Sequence, residues 1–223
     1  NFNFSTDLTY QHFLKGQQFE YISADQIDKL NFNNEIDWQA NGHDFRIAHQ
    51  KYNQVDEGAT RLSSGLILYT NETNIDRNQV TVNHRWTIKN DFSIEQTIRN
   101  ANYVRNYKVN NNDGSISTED ATEEKNTEYE LLFNRAYKNL IYNGGFEFSK
   151  PEYKSDRIAG GVQKKDIVGI FNQVAWNISS DINLVSGLRF DTYGDTTVLS
   201  PRLALSYKKS DTWIYRLAYG HGF

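Results

Sequence analysis

Residues 187–223 read GLRFDTYGDTTVLSPRLALSYKKSDTWIYRLAYGHGF, and two runs within them alternate between apolar and polar-or-small residues. In the first, Leu199, Pro201, Leu203, Leu205 and Tyr207 share a parity; in the second, Trp213, Tyr215, Leu217 and Tyr219 do. A strand has a period of two residues, so each set lies on one face. The opposite faces carry Arg202, Ala204 and Ser206, then Arg216, Ala218 and Gly220, and the polar turn Lys208 to Asp211 joins the two runs. One apolar and one polar face in a hairpin is the pattern of a membrane β-barrel wall.

The alternation recurs. It predicts strands near 2–11, 17–23, 28–39, 43–52, 61–70, 78–88, 91–105, 125–137, 139–149, 166–178, 181–191, 198–208 and 212–223. Outward sets include Leu30, Phe32, Ile36 and Trp38, then Val80, Val82, Trp86 and Ile88, then Ile182, Leu184, Leu188 and Phe190. Their inward partners include Thr81, Asn83, Arg85 and Thr87, then Asn183, Gly187, Arg189 and Asp191. A water-soluble β-sandwich would alternate as well, with the apolar face buried.

Connection lengths weigh toward the barrel. Asn41-Gly42, Lys89-Asn90, Lys138-Asn139, Ser179-Ser180-Asp181 and Lys209-Ser210-Asp211 read as short polar turns. Longer connections are expected from Asn106 to Lys125, an acidic stretch without periodicity, and from Lys150 to Lys165. Short turns at one end and long loops at the other fit an outer-membrane barrel with the long loops outside.

Trp38, Trp86, Trp176 and Trp213 all lie within four residues of a short turn, as do Tyr137 and Tyr207. Indole and phenol rings favour the membrane interface, so these six read as an aromatic girdle. The predicted strands place Trp38 on the rim opposite Trp86, so one strand between them is misassigned or Trp38 belongs to a second girdle. The thirteen strands are an odd number, whereas bacterial single-chain barrels have even counts.

The chain has 223 residues with no Cys and no Met, which excludes a disulfide framework and a thiolate metal site. Without an initiator Met it is expected to be a mature form or a fragment. A net charge of −4 argues against nucleic acid as partner. No apolar run is long enough for a transmembrane helix. The mean hydropathy of −0.72 is neutral evidence, because only alternate residues of a barrel strand face lipid.

From residue 166 onward four motifs stand together: DIVGIFNQVAW from Asp166 to Trp176, GLRFD from Gly187 to Asp191, LSPRLAL from Leu199 to Leu205, and YGHGF from Tyr219 to Phe223. On these motifs the chain resembles the TonB-dependent outer-membrane receptors. The resemblance implies an all-β fold, a transmembrane antiparallel up-and-down β-barrel of 22 strands, with a separate N-terminal plug and a TonB box. At ~10 residues per strand plus loops, such a barrel exceeds this chain, so residues 1–223 are expected to supply about 12–14 strands. Neither a plug motif nor a TonB box is recognisable. The plug and closing strands are expected to be absent, with Gly222-Phe223 a break in the chain.

The resemblance further implies a receptor of the bacterial outer membrane that binds an extracellular nutrient, most often a ferric siderophore or similar metal chelate. Import would use TonB-transduced energy. The implied partners are the TonB complex, reached through the missing N-terminal region, a small-molecule or metal-chelate ligand, and outer-membrane lipid and lipopolysaccharide. A passive porin-like channel and a soluble all-β binding module are the alternatives.

No catalytic constellation or cofactor motif is present. His12, His43, His49, His84 and His221 are scattered, and none has metal-ligand spacing. Asn111 to Ile116 is similar to the centre of a calcium loop, but Val109 stands where the first Asp belongs and the flanks are strands. Tyr103, Arg105 and Tyr107 flank the connection after residue 105, with Arg157 and Tyr193 on the next two. Aromatics and arginines at a barrel mouth could grip an anionic chelate by stacking, cation–π contact and charge. Girdle and loop packing would place the same residue types there.

Overall fold

The computed structural model describes residues 1–14, 26–61 and 64–221. The described residues form twelve strands: β1 (Phe2–Leu14), β2 (Gln26–Ala40), β3 (His43–Arg61), β4 (Ile67–Lys89), β5 (Phe92–Asn111), β6 (Ile116–Tyr137), β7 (Leu140–Ser155), β8 (Val162–Lys164), β9 (Ile167–Asn177), β10 (Ile182–Tyr193), β11 (Thr196–Lys208) and β12 (Ile214–Gly220). They make one antiparallel sheet in chain order from β1 to β12, except that the short β8 pairs only with β7, which passes on to β9. This is an up-and-down meander, and it is not closed within the described residues.

Two neighbouring rows across the sheet show how the faces divide. One runs Trp38–Phe45–His84–Gln96–Leu131–Phe146–Ile170–Phe190–Leu199. The row one residue away runs Asp37–Arg46–Asn83–Thr97–Glu130–Glu147–Gly169–Asp191–Val198. Register partners share a face, so the first row is apolar apart from Gln96 and His84, and the second is polar apart from Gly169 and Val198. Among the described residues no second layer covers the apolar face. Ile170 is 54% exposed and Phe190 42%, while Ala59 is the one buried apolar residue among those described. A soluble sandwich would bury this face; a membrane wall turns it to lipid.

The turns at one end are tight. Asn41 and Gly42 have φ of 51° and 79°, the paired positive values of a type I′ hairpin turn. A Cβ on Gly42 would also sit 2.7 Å from the Thr87 carbonyl oxygen, so this position requires glycine twice over.

Three expectations are corrected, and one lies outside the described residues. The segments 61–70 and 78–88 do not form two strands: Arg61 ends β3, and β4 runs unbroken through Asn71-Glu72-Thr73-Asn74. With one strand fewer, the β2–β3 and β4–β5 turns lie at the same end. His43, beside the first turn, pairs with Trp86, so Trp38 and Trp86 share a rim. The connection Asn106 to Lys125 is mostly strand, with β5 and β6 reduced to a tip at Asn112 to Ser115. Likewise β7 runs to Ser155 and β8 takes up part of the connection to Lys165. The physical reason is common to all three. Outside the lipid zone both faces of a strand meet water, so a polar strand need not alternate. The strand expected at 17–23 lies outside the described residues, as do Gly222 and Phe223. Strands β4, β5 and β6 have 23, 20 and 22 residues, about twice the 9–11 that cross a bilayer.

Pro201 lies inside β11, opposite Leu188. Its carbonyl accepts from the His221 amide at 3.1 Å, just beyond the last β11–β12 pair at Gly220. A residue's N–H and C=O point to the same side of a strand, so the donor that proline lacks would have faced β12 at His221.

Candidate ligand-binding wall

The end of the sheet away from the tight turns carries the candidate site on its polar face. Tyr52, Arg77, Tyr103, Glu124 and Tyr153 are successive register partners across β3, β4, β5, β6 and β7. The row therefore alternates aromatic rings with charged groups on one face. Tyr52, Arg77, Tyr103 and Glu124 line a recess of about 480 Å³. A second recess of about 320 Å³ shares Tyr52 and Arg77 and adds Asn31, Gln50 and Gln79. The Tyr52 hydroxyl donates to Gln54 Oε1. Arg77 donates to Gln79 Oε1 at 3.3 Å and has no carboxylate within ion-pair distance among the described residues, so its charge is available to a ligand.

Farther from the tight turns, Arg105 and Tyr107 continue the same face of β5. The Arg105 guanidinium lies 5.5 Å from the centre of the Tyr107 ring, within cation–π range. Tyr107 pairs with Asp120, whose Oδ2 lies 3.1 Å from Arg157 Nη2 and 4.0 Å from Arg105 Nη1. Tyr103, Arg105, Tyr107 and Arg157 are thus brought together. Tyr193 stands apart: it pairs with Ile167, which pairs with Ser149 of β7, leaving it four strand spacings from β5, about 19 Å. Its ring carries Lys165 Nζ 3.6 Å above its centre.

Sequence reasoning missed Tyr52, Arg77, Tyr153 and Asp120. Arg77 lies between the segments 61–70 and 78–88, and its adjacency to Tyr52 depends on the register of β3 against β4, which only the unbroken β4 supplies.

Lower on the polar face, charges pair with one another. Arg46 Nε lies 2.7 Å from Asp37 Oδ1, and Arg99 Nη1 lies 2.6 Å from Glu128 Oε2. Arg189 Nη2 lies 2.6 Å from Glu147 Oε2 and 2.8 Å from Asp191 Oδ1. At the β5–β6 tip, the Ser115 amide and hydroxyl both donate to Asp113 Oδ1, which holds this carboxyl below the ordinary carboxylate range. No cluster of three His, Cys, Asp or Glu side chains could hold a metal ion among the described residues.

The six aromatic residues near the tight turns sit at one end of the sheet. Trp38 packs 5.4 Å from Phe45 on the apolar face. The Phe45 ring stacks on His84 at 4.0 Å, and His43 lies parallel to Trp86 at 5.3 Å. His43 Nδ1 and His84 Nε2 are 3.1 Å apart and share a hydrogen bond. Trp176 pairs with Leu140 and Tyr137 with the same Leu140, across the next tight turn. Tyr207 and Tyr215 stack at 6.3 Å, with Trp213 beside Tyr215 at 6.4 Å.

An open up-and-down wall, apolar on one face and charged on the other, defines a membrane β-barrel. The family model of the TonB-dependent receptor-like β-barrel matches residues 7–223, and the chain belongs to that family of bacterial outer-membrane proteins. No curated protein matches the sequence. Among solved structures, the chain is similar to the copper transporter OprC, at TM-score 0.69 and 11% identity, covering 94% of this chain and 38% of that one. It is similar to the siderophore receptor PirA from Acinetobacter baumannii, at TM-score 0.66 and 12% identity, covering 93% and 36%. The ferric preacinetobactin receptor BauA, also from Acinetobacter baumannii, gives TM-score 0.58 and 10% identity, covering 94% and 44%. The chain thus spans less than half the length of these receptors, and at such identities the likeness is one of fold.

Proposed function

We propose that this wall belongs to an active importer that takes up a metal chelate of the ferric siderophore class, with energy from the TonB complex. The observation that carries the reading is the row Tyr52–Arg77–Tyr103, two phenol rings flanking a guanidinium that meets no carboxylate among the described residues. Rings and guanidinium together suit an anionic, aromatic-rich chelate. Arg105, Tyr107 and Arg157 extend the same surface toward the mouth. One of the fold relatives is named a siderophore receptor and another a ferric preacinetobactin receptor.

In this reading the tight turns face the periplasm and the tips of the long hairpins face outside. Trp38, Trp86, Tyr137, Trp176, Tyr207 and Trp213 then lie at the inner interface of the outer membrane, and lipid and lipopolysaccharide meet the apolar face. A plug and a TonB-contacting segment belong to the rest of the receptor, outside this stretch of wall.

The test is uptake of radiolabelled iron chelates by cells expressing the full-length receptor, with and without TonB. Energised uptake that disappears without TonB is expected. Replacing Arg77 or Tyr103 by alanine should weaken chelate binding about tenfold, the effect of losing roughly 1–2 kcal/mol of cation–π and charge attraction. Uptake that persists without TonB, with ion conductance through the purified receptor, would establish a passive channel instead.

A further inference from the structure

Asp120 is the most deeply placed carboxylate on the polar face near the mouth, with its side chain 6% exposed. Thr122 and Ser155 beside it are buried too. The β7–β8 turn, residues 156–161, is tied to this group by three contacts. Arg157 from that turn reaches Asp120, its amide donates to Ser155 Oγ at 3.2 Å, and the Ser155 amide donates to the Gly161 carbonyl at 3.1 Å. Asp120 Oδ2 faces both Arg157 and Arg105, whereas Oδ1 is buried and accepts no hydrogen bond from any described residue. A buried carboxylate ordinarily engages both oxygens. Here Arg157 alone pairs closely with Oδ2, Arg105 stands off at 4.0 Å, and Oδ1 has no donor among the described residues, so Asp120 leaves much of the capacity of both guanidinium groups unused.

We propose that Arg105 and Arg157 form a binding site for a carboxylate- or phosphate-bearing group, and that Asp120 is its resting occupant, displaced when such a group arrives. The inference deepens the import reading, on which it rests for the identity of the cargo. Two cations facing one anion leave a positive charge to attract an incoming anion. Arg157 can follow that anion because its side chain is 69% exposed. The turn can follow as well: Gly160 and Gly161 adopt φ of 83° and 75°, and nothing lies within 4 Å of where their Cβ atoms would sit. As the turn lifts, water reaches Asp120, so its charge is hydrated rather than left dry. Arg105 stays seated on Tyr107 and provides the fixed half of the site.

Hydrogen exchange of residues 152–164 in the purified full-length receptor tests this, with citrate as the anionic probe. Citrate should raise exchange across residues 155–161 severalfold. Asp120→Asn should raise it without citrate and lower the citrate concentration for half-maximal response about tenfold. The double variant Arg105→Gln, Arg157→Gln should lose the citrate response. Citrate that leaves the segment protected, or an Asp120→Asn variant that binds citrate more weakly, would overturn the proposal and make Asp120 a structural anchor. A receptor that answers citrate in this way yet imports no metal chelate would refute the import reading alone.

Discussion

Arg189 reaches across a whole strand to Glu147: its Nη2 lies 2.6 Å from Glu147 Oε2, although β9 runs between β10 and β7. The residue it passes is Gly169, which pairs with Glu147 on one side and Asp191 on the other. A Cβ on Gly169 would stand 2.9 Å from both Arg189 Nη2 and Asp191 Oδ1. The missing side chain is what lets one guanidinium serve two carboxylates, while Phe171 lies beneath it at 5.5 Å.

Replacing Arg189 by alanine should leave Glu147 and Asp191 facing each other without a cation. Asp191 is buried, whereas Arg189 and Glu147 are partly solvated, which screens the loss to about 1–2 kcal/mol. The urea midpoint for unfolding of the full-length receptor in detergent micelles should fall accordingly. An unchanged midpoint would show that the network contributes nothing to stability.

Gly169→Val should break the same network from the other side, by filling the gap. Its cost and that of Arg189→Ala should be markedly non-additive in a double-mutant cycle, because both remove one interaction. Full additivity in the same urea titration would separate the glycine from the ion network.

These residues mark where sequence reading stops. The parity of Arg189 and Asp191 and the polar face they share are visible in a strand period of two. The need for glycine at 169 is not, because it arises from side chains on the two neighbouring strands. The Asn41-Gly42 turn is legible because its two residues dictate their own dihedrals. The continuous β4 is not, because Asn71 to Asn74 lie where alternation is no longer enforced. The same loss of pattern hid the Tyr52–Arg77–Tyr103 row, although Tyr103, Arg105, Tyr107 and Arg157 were placed near the mouth by chain order alone. Tyr193 was placed with them for the same reason, and the register sets it apart.

A charge on the apolar face should be costly and the same charge on the polar face tolerated. Ile170→Arg should destabilise the receptor in bilayers by ~2–4 kcal/mol, with Ser200→Arg within about 1 kcal/mol of wild type. Reversible folding into vesicles, followed by tryptophan fluorescence, measures both. A larger penalty for Ser200→Arg would mean that the faces are assigned the wrong way round, and equal penalties that neither face meets lipid.

The interface position proposed for Trp38, Trp86, Trp176 and Trp213 can be read by depth. Receptors retaining one of these four tryptophans should be quenched alike by lipids brominated near the headgroup and poorly by lipids brominated at the chain end. Strong chain-end quenching of Trp38 alone would return it to another level of the wall.

The β5–β6 tip should respond to acid. Asp113 has its carboxyl depressed below the ordinary 3.8 by donation from Ser115. A depressed value means that the contact adds stability above pH 3.8 and loses it as pH falls through the lower folded-state value. Carbon NMR of labelled Asp113 should therefore show a midpoint below 3.8, with the Ser115 amide resonance moving in step. A midpoint at or above the ordinary value would rule out the turn contact.

The connections at the mouth are continuations of the strands, down to tips such as Asn112 to Ser115. That has a consequence for how such a rim can vary by descent. Adding one residue to an arm turns every side chain beyond it to the opposite face, whereas adding two raises the arm and keeps each face intact. Insertions and deletions that survive in the arms of β4, β5 and β6 should therefore come in even steps, with odd ones confined to tips and bulges such as that between Val109 and Asn110. The height of the rim is then a quantity that lineages can change without rewriting the wall beneath it.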